Sequence, residues 1–238
     1  MEFDPRQIQI LIAYPIFISI VVYILYAKIL TKSETYISKV LSLFYICTIA
    51  SLILNIIYSL LPIDPYFDGI IEILYYITIT LVYGGGIYLT GGTFLLYRKL
   101  NGKEQKSKIV EIIMVLIFYS LTIPTYFIFN GIDIGATTDN IPKWNPFFLL
   151  YYYSIIVTMI YIPVSIFVLK IRSFFKNNDI RLMKKWNFFI YGWAALVIAT
   201  SSIFLNYIVP QPFLYYTSVV GIILGIILVG YSFSECKK

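Results

Sequence analysis

Glu72 and the tyrosines of ILYY (73–76) and LLYYYS (149–154) are the residues best suited to chemistry, and the chemistry they offer is binding. A phenol joins an apolar ring to one hydroxyl, so Glu72, Tyr75, Tyr76, Tyr151 and Tyr152 read as the lining of an amphipathic ligand pocket. With 23 tyrosines in the chain, anchoring at a membrane interface accounts for them equally well. No catalytic set is expected. The sequence has no His, which removes a Ser–His pair and His metal ligands, and two cysteines far apart cannot build a zinc site. Asp64, Asp68 and Glu72 lack the regular spacing of a calcium loop. The chain therefore reads as a non-enzyme with no metal and no cofactor.

The elements that must position these residues are helices in a bilayer. Of the 238 residues, 60% are hydrophobic and 13% charged, too little charge for a soluble fold. The apolar residues come in blocks of about 20 or more, the length that crosses a ~30 Å hydrocarbon layer at about 1.5 Å per residue. Seven blocks emerge, at about 8–27, 37–61, 69–97, 109–130, 147–169, 186–209 and 212–233, in one all-α transmembrane domain covering 1–238. LPIDPYFDG (61–69) and VPQP (209–212) read as tight turns, and RKLNGKEQKSK (98–108) as a charged connector. MEFDPRQ (1–7) lacks the basic start of a cleavable signal, so the first span is expected to be retained. Cys47 and Cys236 read as ordinary thiols.

Orientation follows from the basic residues, because Lys and Arg near span ends resist translocation. All of the 18 Lys and Arg except Arg6 and Lys143 fall in the first, third and fifth connectors and the tail. That side is assigned to the cytoplasm, which puts the N-terminus outside and the C-terminus inside a cell membrane. Tyr26, Tyr97, Trp144 and Trp186 are expected in the headgroup belt. The net charge of +6 is thus spent on orientation, and nucleic acid is not an expected partner.

No span carries Asp, Glu, Lys or Arg near its midpoint, which argues against proton relays and ion-coupled transport. Glu72 and Glu111 lie within about one turn of a span start and read as interfacial. Gly84, Gly85, Gly86, Gly91 and Gly92 in VYGGGIYLTGG allow close helix packing, a hinge, or approach of a ligand. Gly221 and Gly225 form a GxxxG that a neighbouring helix or a second protomer could use. Asn55 and Asn206 are expected to bond across helices.

LTIPTYF (121–127), KWNPFFLLYYY (143–153) and RLMKKWNFFIYGW (181–193) together resemble the seven-helix sensor module at the N-terminus of membrane histidine kinases. The resemblance implies a receptor-like bundle over nearly the whole chain. SECKK (234–238) is expected to leave no room for a kinase domain, so a sensor of this kind signals through a separate membrane or cytoplasmic partner. A facilitator for a neutral or lipidic solute and an accessory subunit of a membrane complex are the alternative readings, and a homo-oligomer is compatible with each.

Overall fold

The computed structural model describes residues 5–31, 35–61, 68–103, 107–129, 131–138, 141–209 and 211–232. Its helices are α1 (Pro5–Ile24, continued by a π turn, Leu25–Leu30), α2 (Tyr36–Ser59), α3 (Asp68–Leu100) and α4 (Ser107–Ile128). They are followed by α5 (Pro146–Ile156), a second π turn (Val157–Tyr161), α6 (Ile162–Asn178), α7 (Ile180–Ile208) and α8 (Pro212–Ser232). Because α5, the π turn and α6 form one rod, the chain makes seven spans long and apolar enough to cross a membrane. It is a multi-pass membrane protein. Its outward face is apolar, with Ile12, Leu116, Ile198 and Val220 each more than half exposed, which is costly in water and neutral in lipid.

Two local features depart from the expected outline. The all-α expectation misses a hairpin between α4 and α5, in which β1 (Ile132–Thr138) pairs antiparallel with β2 (Ile141–Trp144). Asn145 ties this hairpin to the bundle. Its backbone N–H donates to the Gly131 carbonyl (3.0 Å), its side-chain amide donates to the Phe129 carbonyl (3.0 Å), and its Oδ1 caps α5 by accepting from the Phe147 N–H (2.9 Å). The fifth and sixth spans also run further than 147–169 and 186–209, because the basic connector is itself helical. Asp179 alone separates α6 from α7, accepting from the N–H groups of Arg181 (2.8 Å) and Leu182 (3.2 Å). An N-cap of this kind starts a new helix at once.

The third span is the hub of the bundle, and its glycines explain how. A Cβ at Gly85 would stand 3.2 Å from the Cys47 Cβ, and one at Gly92 would collide with Leu41, so this face lies against α2. Gly84 and Gly91 look instead to α4, where added Cβ atoms would stand 2.7 Å from the Tyr119 hydroxyl and 2.7 Å from the Glu111 Cγ. Gly86 faces the π turn of the fifth span, 3.0 Å from the Ile160 Cδ1. The five glycines thus let three neighbours approach one helix. Gly221 and Gly225 pack within the same bundle: their Cβ positions lie 2.7 Å from the Ala199 Cβ and 2.9 Å from the Gly192 carbonyl of α7.

Pro163 accounts for the π turn. A proline in a helix cannot donate to the carbonyl four residues back and its ring crowds it, so the ladder widens and the Met159 carbonyl is released. The Thr90 hydroxyl, across from α3, donates to that carbonyl (3.3 Å). Further polar contacts join this rod to α7: Tyr153 with Ser201 (2.9 Å), Tyr161 with Thr200, and the Trp193 indole N–H donating to Ser165 (2.9 Å).

Candidate functional site

The tyrosines singled out above lie at the hairpin end of the bundle, but they do not form one pocket. Glu72 accepts from the Tyr76 hydroxyl one turn along the same helix (3.0 Å). Tyr76 packs its ring on Tyr126 of α4, centroids 4.5 Å apart. Tyr75 is buried, with its hydroxyl 2.8 Å from that of Tyr207 on α7 and its ring against Tyr58 and Trp144. Tyr151 faces outward, 39% exposed, beside Phe129, because successive residues on a helix point about 100° apart. Tyr152, its neighbour, is 1% exposed and fully inside.

Tyr152 belongs to a cavity of about 20 Å³, which holds about one water molecule. From α3 come Ile79 and Tyr83, and from α5 come Phe148, Leu149 and Tyr152. Phe204 and Tyr207 of α7 complete the wall together with Trp144, the last residue of β2. The rings lock one another in place. Trp144 stacks on Phe148 (5.2 Å, 3° between planes), and Phe148 stacks on Tyr152 (5.4 Å, 24°). The Tyr126 hydroxyl, behind Tyr152, bonds to it (3.3 Å) and lies 2.9 Å from that of Thr80, tying α4 to the same wall.

One buried polar atom of these residues has nothing to bond. The indole N–H of Trp144 is buried with no acceptor, in a residue 7% exposed. Such an orphaned donor costs on the order of 1–3 kcal/mol. Trp144 and Trp186, expected in the headgroup belt, are both packed inside the bundle, Trp186 at 6% exposed. Residue type alone does not separate an interfacial tryptophan from a buried one; what places Trp144 inside is the hairpin, which turns β2 back over the helix ends.

Other polar residues resolve differently from expectation. Glu111, one turn into α4, is packed against the bundle, 4% exposed, with its Oε2 accepting from the hydroxyl of Tyr36, the first residue of α2 (2.8 Å). Above that phenol ring sits the Lys108 ammonium, 4.8 Å from the centroid. Gly91 makes the room that Glu111 occupies. Asn206 accepts from the Gln211 N–H (2.9 Å), closing the α7–α8 turn locally instead of bridging helices, and the Asn55 side-chain oxygen is buried without a donor. Asp64 lies outside the described residues. Among the described residues no cluster of three metal-ligating side chains occurs.

The chain matches no protein-family model, no curated protein and no solved structure. Its reading rests on the site itself.

Proposed function

We propose that this chain is a receptor-like, seven-helix sensor of the cell membrane, without catalysis of its own, that signals through a separate membrane or cytoplasmic partner. The N-terminus and the hairpin lie outside in this reading, and the C-terminus lies in the cytoplasm. The observation that carries it is the aromatic cavity under the hairpin, lined from three helices and by Trp144 at the end of β2. Two of the walls are long rods. The one formed by α5 and α6 runs from Phe148 and Tyr152 at the cavity to Lys176, and α7 runs from Tyr207 back to Arg181. Both rods meet at Asp179 in a helical corner whose Lys176, Arg181 and Lys184 are exposed. A change at the cavity is therefore carried by rigid helices to a basic surface at the opposite end. The loose resemblance to histidine-kinase sensor modules points the same way.

Affinity purification from native membranes tests this. One stoichiometric partner is expected, reduced when Lys176, Arg181 and Lys184 are changed together to Glu. Flux of a neutral solute through the purified protein in liposomes, with no partner present, would overturn the sensor reading in favour of a facilitator.

A further inference from the structure

We infer that the flank of the α6–α7 corner is a binding site for the headgroup of an anionic phospholipid, in the leaflet opposite the hairpin. The inference needs only that the chain crosses a bilayer, so it goes beyond the sensor reading and does not rest on it. Lys176 and Lys184 carry it, and helix phase fixes their place. On α6, Ile162 and Leu169 are exposed, and the next step of seven residues is Lys176, also exposed. On α7, Leu205, Ile198 and Tyr191 are exposed, and the same step of seven leads to the exposed Lys184. Residues seven apart on a helix lie almost one above the other, drifting by only about 20°. Each lysine therefore ends a stripe that faces acyl chains, about 10 Å further along its helix than the last apolar residue of the series.

The two lysines also share a depth. Where α6 and α7 run side by side, the Arg172 Nε donates to the Asn187 Oδ1 (2.6 Å), and the rings of Phe175 and Trp186 stack 6.4 Å apart. Lys176 is four residues past Arg172 and Lys184 three residues before Asn187, so both stand about 5 Å beyond that bond, toward the corner. Charge sets what they meet there. The stretch 170–185 holds six Lys and Arg and a single acid. That acid, Asp179, is engaged in capping α7.

An acidic protein can approach the tip of the corner. The ground directly beneath Lys176 and Lys184, however, belongs to whatever covers Leu169 and Tyr191, and in a bilayer that is lipid. A lysine in this position runs its stem along the apolar stripe and lifts its ammonium to the level of the phosphates. A zwitterionic headgroup brings a cation of its own to that level. A phosphatidylglycerol-type headgroup brings the phosphate alone, so two lysines at one depth select the anionic class.

The test uses the full-length protein in phosphatidylcholine vesicles, in a background with Cys47→Ser and Cys236→Ser. Ser173→Cys, on the exposed α6 face between Leu169 and Lys176, carries a fluorophore. Val220→Cys, exposed on α8, carries it in a control. Phosphatidylglycerol and phosphatidylcholine with identical brominated chains are added in turn as quenchers. At Ser173 the glycerol lipid is expected to quench saturably, enriched about fivefold or more over the choline lipid, the factor that one lysine near an anionic surface supplies. At Val220 the two should quench alike. Lys176→Gln with Lys184→Gln should abolish most of the enrichment, and Lys176→Arg with Lys184→Arg should keep it. Both lysines are exposed, and an unchanged melting temperature checks that the variants fold.

Equal quenching by the two lipids at Ser173, or an excess that survives the paired glutamine substitution, overturns the site. An excess of the same size at Val220 means a general attraction of a basic chain for anionic lipid, and overturns it as well. No partner protein is present in this experiment, so the enrichment stands even if nothing co-purifies from native membranes. Should the glutamine variant lose its partner there yet keep its lipid enrichment here, the corner serves a protein and not a lipid; the inference then fails while the sensor reading stands.

Discussion

Thr90 lends its hydroxyl to two carbonyls at once, that of Gly86 in its own helix (3.3 Å) and that of Met159 in the fifth span (3.3 Å). The first contact is the ordinary back-bond of a helical threonine. The second exists because Pro163 has emptied the Met159 carbonyl, and inside a bilayer no water replaces a missing donor. Thr90→Val keeps the shape and removes the donor, so the Met159 oxygen is left buried and unpaired. The expected loss is on the order of 1–3 kcal/mol of stability, read as a lower melting temperature in detergent. Thr93→Val is the control, since the Thr93 hydroxyl donates only to the Leu89 and Thr90 carbonyls of its own helix (2.9 and 3.0 Å). Equal melting of the two variants would show that the Met159 contact stabilises nothing beyond a helical back-bond. A second expectation at this scale concerns Glu111. Glu111→Gln keeps an acceptor for the Tyr36 hydroxyl and the volume that fills the Gly91 gap, whereas Glu111→Ala leaves a hollow and an unpaired phenol. Only the alanine variant should melt markedly lower, by about 1–3 kcal/mol.

At the scale of elements, α3 has protein on the faces that carry its glycines, and this fixes an expected order of tolerance. Gly84→Leu, Gly85→Leu, Gly91→Leu and Gly92→Leu each drive a side chain into α2 or α4, so all four should lose stability, by about 1–3 kcal/mol as for other overpacked contacts. Gly69→Leu, where nothing lies within 4 Å, should melt like the parent. If the four inner variants also melt like the parent, the close approach of α3 to its neighbours is not what stabilises the bundle. The seven blocks were legible because a bilayer imposes length and apolarity on every span, a signal that survives without any knowledge of neighbours. The hairpin was not, since the stretch 132–144, with its acids and glycine, reads as a loop until Asn145 closes it onto Gly131 and Phe129. Nor was the α6–α7 corner, where Lys and Arg suit a helix as well as a connector and one Asp supplies the cap. The site was half legible. Tyr75, Tyr76 and Tyr152 meet at the hairpin end, but which tyrosine turns inward depends on helix phase, and Tyr151 turns out. Tyr83, Tyr126 and Tyr207 carried no local signal, because their partners are far away in sequence.

For the molecule as a whole, antiparallel succession of seven spans puts the turns after α2 and α7 and the hairpin at one end, and the other connectors with the C-terminal end of α8 at the opposite one. The charges divide along the same line. Arg98, Lys99, Lys108, Lys170, Arg172, Lys176, Arg181, Lys184 and Lys185 belong to the end opposite the hairpin. Translocating such a set is opposed by its cost, about 2.5–3.5 kcal/mol for a Lys or Arg at the centre of an inserting helix, while acids contribute little to orientation. The cavity and the basic α6–α7 corner therefore belong to opposite sides of the membrane, which is the arrangement a sensor requires. Single cysteines decide the direction. In a background with Cys47→Ser and Cys236→Ser, cysteines placed at Ser107, at the start of α4, and at Asn178, at the end of α6, should react with a membrane-impermeant maleimide only after the cells are opened. A cysteine at Thr137, in β1, should react in intact cells. Labelling of Thr137 only in opened cells, with Ser107 and Asn178 labelled from outside, would invert the molecule, placing the aromatic cavity on the cytoplasmic side and making the basic corner, not the hairpin, the surface that meets the exterior.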